Sequence, residues 1–364
     1  MLTIFGLTCY IGGGDLVLIK KLLKNKDKDI LKLIVESYLK LGKPVSSGYI
    51  VKKKGVSISS ASVRNIMAKL EENDYLYQPH ISAGRIPTDM GLRFYVNSLF
   101  EKVFTTQEQI DFPADSMGLR KGSFNSIFIE TSKLLSEYSD NIGFVISPRI
   151  SRLNFRHLRF IKVAEEKVLI ILVTTSNLVI NEIIEIKSFF TQGELDKATN
   201  YINTNFPGKN LLFVREYLVK EVPEYKMRVE DTLQKITDLL QTYLNRDESI
   251  NQIYLQGTSK FLEKPEMFNM DKLKFLFKSF EEKAKLTKLI SDFISFDKVK
   301  VIIGSELNFQ NISECSLILS HYGDKQQVLG SLGIIGPKRI PYKKIIPLVN
   351  SVAKRLSQTI SFTS

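Results

Sequence analysis

Ser60, Ser62, Arg64 and Asn65 stand close together in residues 57–87, SISSASVRNIMAKLEENDYLYQPHISAGRIP. Residues of these types suit the major-groove edges of bases, where arginine pairs bidentately with guanine and asparagine with adenine. Whether they can do so depends on the element that presents them. Ser59 and Ser60 can accept from the free N–H groups of a first helical turn, so the spacing predicts a helix that starts there. Val63, Met67 and Leu70 recur at i, i+4 and i+7, with Ile66 beside them, which makes one buried stripe. Ser62, Arg64, Asn65 and Lys69 fall on other faces. Residues 75–80 then read as a strand, Ser82-Ala83-Gly84 as a turn and residues 85–87 as a return strand. Helix followed by basic-tipped hairpin is the pattern of a winged helix. An ordinary surface helix and hairpin satisfies the same spacing.

A base-reading helix needs cations around it to meet phosphates. Lys52, Lys53, Lys54, Lys69 and Arg85 are the candidates here. The charge of the whole chain supports that role, because the net +12 is not spread evenly. Residues 20–94 hold 15 Lys/Arg against 7 Asp/Glu, a balance of +8 in about a fifth of the chain. A merely lysine-rich surface would not concentrate two-thirds of the excess there.

The elements upstream complete the unit. Residues 27–41 predict a helix with a wide apolar face built from Ile30, Leu31, Ile34, Val35, Tyr38, Leu39 and Leu41. Gly42 ends it and Pro44 prevents its resumption. A second short helix is expected over 47–54, closed by Gly55, with Ile50 and Val51 inward. The order helix, turn, helix, turn, helix, hairpin is that of a winged helix-turn-helix domain. Thr88 can cap a further helix over 89–104, with Leu92, Val96, Leu99 and Val103 along one side and Phe94, Tyr95 and Phe100 widening its apolar surface. That surface suits a connector packing on a second domain or a partner subunit, and equally a core within one chain.

The same stretch resembles the signature of the heat-inducible transcription repressor family, HrcA. The matching residues are Ser59-Ser60, Arg64-Asn65, Leu70-Glu71-Glu72, Gln78-Pro79-His80, Ser82 to Thr88, and Arg93 to Val96. A run of matches over some forty residues is far more specific than any single motif. Later blocks are similar to the family in the same order: Tyr254 to Ser259, Pro265-Glu266, Ile303 to Glu306, and Gly333 to Arg339 with Tyr342. Ser46 departs from the glycine usual in the family's Pro-Val-x-Ser element, a change confined to a turn.

Between those blocks, residues 142–147, 157–163, 167–174 and 179–186 read as strands, with Ala164-Glu165-Glu166 as a hairpin turn. Helical pattern follows over 191–206, 224–244 and 271–294. Strands return at 298–303, 316–321 and 328–335, and a last helix is expected over 342–360. A sheet split by some ninety helical residues predicts an α+β domain with another domain inserted into it. The resemblance implies that the split domain is GAF-like and that the mainly helical insertion dimerises. The expected division is an extension at 1–19, a winged helix-turn-helix DNA-binding domain at 20–104, a discontinuous GAF-like domain at 105–188 and 280–364, and a dimerising insertion at 189–279. The polar stretch 104–122 reads as a linker, and the apolar residues 2–11 lack the basic start of a secretory signal.

Other chemistry finds little support. Cys9 and Cys315 are far apart and suit a reducing cytosol, and with only three scattered histidines no zinc-ligand spacing exists. No cofactor or metal is expected. The glycine-rich residues 330–338 are not a phosphate loop, because no Gly-Lys-Ser/Thr opens a helix and Pro337 removes a backbone donor. His157 and His321 have no partner that sequence can place for a catalytic triad, so no enzyme is expected. His80 suits a phosphate contact or simply a hairpin support.

The resemblance implies a cytoplasmic repressor of class I heat-shock genes. It would bind the inverted-repeat CIRCE operator as a homodimer, with the GroEL chaperonin as the partner that keeps it competent. The alternative from another regulatory class is a winged-helix factor whose GAF-like domain binds a metabolite. A nuclease is the third, and it needs clustered acidic metal ligands that the sequence does not display.

Overall fold

The computed structural model describes residues 23–53, 57–103, 124–148, 153–175, 179–186, 189–221, 235, 237–244, 253–263, 299–307, 313–323 and 328–362. The expectations for 1–19, the linker at 104–122, Lys54-Gly55, and the helix at 271–294 lie outside them. What is described is a mixed α+β protein whose sheets are antiparallel.

Helix α1, Asn25–Leu41, buries Ile30, Leu31, Ile34 and Val35 and ends at Gly42, whose left-handed backbone lets its N–H reach Tyr38 O at 2.9 Å. Helix α2, Ser47–Val51, starts where the Ser46 hydroxyl accepts from Tyr49 N–H, and it is shorter than the expected 47–54. Helix α3, Ser60–Glu72, is capped by Ser59 and buries Val63, Met67 and Leu70. Strands β1, Leu76–Tyr77, and β2, Ile86–Pro87, pair antiparallel, and Val45 bridges to Arg85 beside them through two backbone bonds of 2.9 Å.

Helix α4, Asp89–Val103, packs within the chain: Leu92, Tyr95, Val96 and Leu99 join the same core as α1 and α3. Gly91 in its first turn lies under the hairpin, where an added Cβ would sit 2.2 Å from Tyr75 O. Alanine in place of glycine normally helps a helix interior by about 1 kcal/mol. Here the sign reverses, because the methyl meets a backbone oxygen. Gly91→Ala is expected to cost about 1–3 kcal/mol, read as a lower urea midpoint.

The rest of the chain forms two further layers. Helix α5, Phe124–Ser139, precedes β3, Ile142–Ile146, which joins a five-stranded sheet in the order β7-β3-β10-β9-β8. The other members are β7, Ile253–Gln256, β8, Lys300–Ile303, β9, Cys315–Gly323, and β10, Val328–Pro337. The C-terminal helix α8, Tyr342–Phe362, packs on β9 and β10. Strands β4, Phe155–Ala164, β5, Lys167–Thr174, and β6, Val179–Glu185, make a separate three-stranded sheet. That sheet shares a second core with helices α6, Gln192–Asn205, and α7, Leu211–Glu221, and with helical residues 237–244.

In sequence, the strands within 157–186 read as one sheet with 142–147, and 253–256 fall within the insertion. The pairing is different, and burial explains why. Strand β3 is buried at all five positions and β9 and β10 at most of theirs, as strands covered on both faces must be. Strand β5 alternates, with Val168, Ile170, Leu172 and Thr174 inward, as a strand covered on one face should. Two kinds of strand thus sort into two sheets, and β7 pairs with β3 (Phe144 opposite Leu255) across more than a hundred residues of chain.

Candidate nucleic-acid interface

The buried stripe of α3 orients everything else on that helix. With Val63, Met67 and Leu70 inward, Ala61, Ser62, Arg64 and Asn65 are exposed on the outer side of its first two turns. The Ser59 hydroxyl accepts from Ser62 N–H at 3.2 Å and lies 3.0 Å from Ser62 Oγ, so the helix start is held by its own side chains. Ser60 is half-buried, and its hydroxyl meets Ser47 Oγ at 3.0 Å, which ties α3 to α2. Ser62, Arg64 and Asn65 therefore share one free surface, whereas Ser60 also serves the packing of the two helices.

The cations divide in the same way. Lys52 is exposed, and Lys53 lies with Nζ 5.8 Å from the centre of the Tyr49 ring. Lys69 pairs with Asp27, a carboxylate whose side chain is only 7% exposed. Arg85 pairs with Glu71 at 2.9 Å. Both of these cations already hold α3 in place, one against α1 and one against the hairpin. Lys54 lies outside the described residues.

Sequence reasoning offered His80 as the hairpin's support, and the structure shows Gln78 in that part. Gln78 Nε2 donates to both Ile81 O and Ala83 O at 2.8 Å, which pins the tip from within. His80 and Ser82 are exposed on it and Ile81 is fully so. The turn residues were the signal available in sequence; the role of Gln78 needed the distance between Gln78 and carbonyls three and five residues on. Thr88 then closes the unit, with its hydroxyl donating to Asp74 O and accepting from Gly91 N–H at 3.2 Å.

A helix with one side locked and a polar, cationic side open can lie against an anionic groove. Among the described residues, no three His, Cys, Asp or Glu side chains are grouped to hold a metal ion, and no helix is long and apolar enough to cross a membrane.

Comparison with known proteins places the chain. The family model described as the HrcA protein C-terminal domain matches residues 125–346. The chain is 36% identical to a heat-inducible transcription repressor HrcA of Geobacter sulfurreducens over 343 residues, spanning 93% of this chain and 98% of that one. The chain belongs to the HrcA family. A second HrcA, from Thermodesulfovibrio yellowstonii, is 33% identical over 347 residues and 99% of its length, so the likeness takes in the N-terminal helices as well as the sheets. A crystal structure of a hypothetical protein at 2.2 Å resolution superimposes with a TM-score of 0.61 at 22% identity, covering 94% of this chain and all of that one. It shares the fold with this chain.

Proposed function

We propose that this HrcA-family chain is a DNA-binding transcription repressor of heat-shock genes, acting as a dimer on an inverted repeat. The observation that carries the reading is the free surface of α3, on which Ser62, Arg64 and Asn65 are exposed while its other side is buried. Helices α1 to α3 and the β1-β2 hairpin make up a winged helix-turn-helix, with α3 as the helix that enters the major groove. Ser60, Ser62, Arg64 and Asn65 read base edges, and Lys52, Lys53, Lys54, Lys69 and Arg85 meet phosphates, Lys69 and Arg85 by sharing or leaving their carboxylate partners.

Dimerisation finds its support in the unit between β3 and β7. Among the described residues, seven of the twelve exposed large apolar side chains lie there: Val163, Val179, Ile183, Phe189, Phe213, Tyr217 and Val219. Val179 and Ile183 lie together on the outward face of β6, and Phe213 and Tyr217 stack on α7, so the unit offers apolar surface to a protein contact. We assign the dimerising role to the unit from β4 through the helical residues 237–244 and the GAF-like role to the five-stranded sheet with α5 and α8, a division that the separate sheets and cores support. Two-fold symmetry then places one α3 in each half-site. The operator of the family, CIRCE, and the chaperonin GroEL complete the scheme in the cytoplasm. Heat diverts the chaperonin to unfolded clients, competent repressor declines and the genes turn on. A repressor of ordinary marginal stability needs to lose only about 1–2 kcal/mol for this to matter.

The deciding experiment is binding to a palindromic duplex from upstream of the host's chaperonin genes against a scrambled duplex. Tight binding to the first alone is expected, and equal binding to both overturns the reading. Within it, Lys53→Ala should weaken specific and random duplexes alike and lower the salt slope of log K by about 0.9 for each phosphate that is no longer neutralised. A slope that does not change removes Lys53 from the phosphate set.

A further inference from the structure

Residues 303–306 and 338–339 lie more than 200 residues beyond α3 in the chain, yet they contact α4 and the end of α1. The start of α4 is held by them through a closed set of polar contacts. Arg93 Nε donates to Glu306 Oε1 at 2.7 Å, and its Nη2 donates to Glu306 Oε2 and to Val301 O, the latter at 2.7 Å. Glu306 is in turn fixed by Ile303 N–H, 2.9 Å from Oε2. One turn earlier, Asp89 Oδ2 accepts from Ser305 N–H at 2.9 Å and its Oδ1 from Lys338 Nζ at 3.0 Å. Burial draws the Lys338 pKa down, but the Asp89 and Glu314 carboxylates outweigh it and hold the ammonium above its usual range.

Backbone conformation is committed to the same contact. Gly304 has φ +55°, and a Cβ there would sit 2.2 Å from Asp89 Oδ2. Beside it, the Arg339 guanidinium covers Gly42 at the C-terminal end of α1, where a Cβ would meet Nη1 at 1.4 Å. Apolar packing of α4 on β8 and α8 also joins the two units, but such packing is non-directional. A bidentate arginine–carboxylate pair and a carboxylate bridging an N–H and an ammonium have fixed directions. They add fixed directions to the orientation that the packing alone defines less sharply.

We infer that this clasp, Asp89 and Arg93 against Ser305, Glu306 and Lys338, is a positioning device that fixes the DNA-binding unit on the five-stranded sheet and thereby selects the separation of the two half-sites. The inference rests on the dimeric operator-binding reading above. Each base pair inserted between half-sites moves one of them by about 3.4 Å and turns it by about a tenth of a helical turn, so a rigidly mounted pair of α3 helices tolerates few spacings. A loosely mounted pair tolerates many. Asp89 and Arg93 act through the mounting of α3 and touch no base.

The test uses the full-length chain and three classes of duplex: the operator, operators with one to four base pairs added to or removed from the centre, and a single half-site. The wild type should show one sharp optimum of spacing. Asp89→Ala with Arg93→Ala should flatten that profile, so that the best and worst spacers differ several-fold less than in the wild type, while half-site affinity stays within about twofold, below the effect of removing one base contact. Arg93→Lys, which keeps the charge, should restore part of the optimum. Glu306→Gln serves as a second route to the same loosening if the double variant does not fold. An unchanged spacing profile in a folded variant overturns the inference. So does a parallel fall in half-site affinity, which marks a merely structural role, or a rise in affinity at the optimum, which marks a brake. Absence of wild-type binding to every inverted repeat defeats the functional reading itself, before any variant is compared.

Discussion

Arg64→Ala is expected to lose about 1–3 kcal/mol of operator affinity and to relax the preference at one base position of each half-site. The reasoning is geometric. Arg64 lies in the first two turns of α3, exposed, with the buried Val63 beside it setting the direction of the helix. A guanidinium there can give two parallel hydrogen bonds to one guanine, and alanine gives none. Affinity for random duplex should fall only by what a single cation contributes through counterion release. Titration against the operator and against four operators, each with one half-site position randomised, checks it. If all sequences weaken equally, Arg64 is a phosphate contact and the assignment of base-reading residues fails.

Leu70→Ala should cost the N-terminal unit about 2–5 kcal/mol of stability. Leu70 is fully buried in the core shared by α1, α3, α4 and α8, and its carbonyl accepts from Tyr75 N–H at 2.9 Å where the chain turns into the hairpin. Truncation leaves a cavity at the point where helix and hairpin meet. That core also runs without a break into the five-stranded sheet, so the loss should appear in the main unfolding transition and not as a separate early one. Ile81→Ala is the matching control. Its side chain is fully exposed at the hairpin tip, so the change should fall within about 0.5 kcal/mol of zero. Urea denaturation of both variants decides the point, and equal midpoints contradict the burial argument.

Much of the N-terminal unit was legible residue by residue. The spacing of Val63, Met67 and Leu70 predicted which side of α3 is buried, and it is that side. Gly42 marked the end of α1 and adopts the left-handed conformation a helix terminus favours. These features depend on neighbours three or four residues away, and a single sequence displays such neighbours directly.

The grouping of strands was less legible. Apolar, β-branched runs at 142–147 and 167–174 look alike by composition, yet one is buried on both faces and the other on one. The difference lies in alternation, which is short and easily masked in runs of five to eight residues. Strand β7, Ile-Tyr-Leu-Gln, has one β-branched residue in four and was not read as a strand, whereas the equally short β8, Lys-Val-Ile-Ile, has three and was.

What the chain determined by itself is local: where helices begin and end, which of their sides are apolar, and that the excess of positive charge gathers in its first quarter. Only the tertiary structure decided the use of each charged group. Lys69 looked like a free cation until Asp27, 42 residues earlier, was seen to hold it. Arg93 and Asp89 looked like ordinary helix residues until Glu306 and Lys338, more than 200 residues later, closed on them. The physical reason is that an ion pair requires only proximity and opposite sign, conditions many pairs in a 364-residue chain could meet. The fold brings a few of them together, through apolar packing that has no preference among charges.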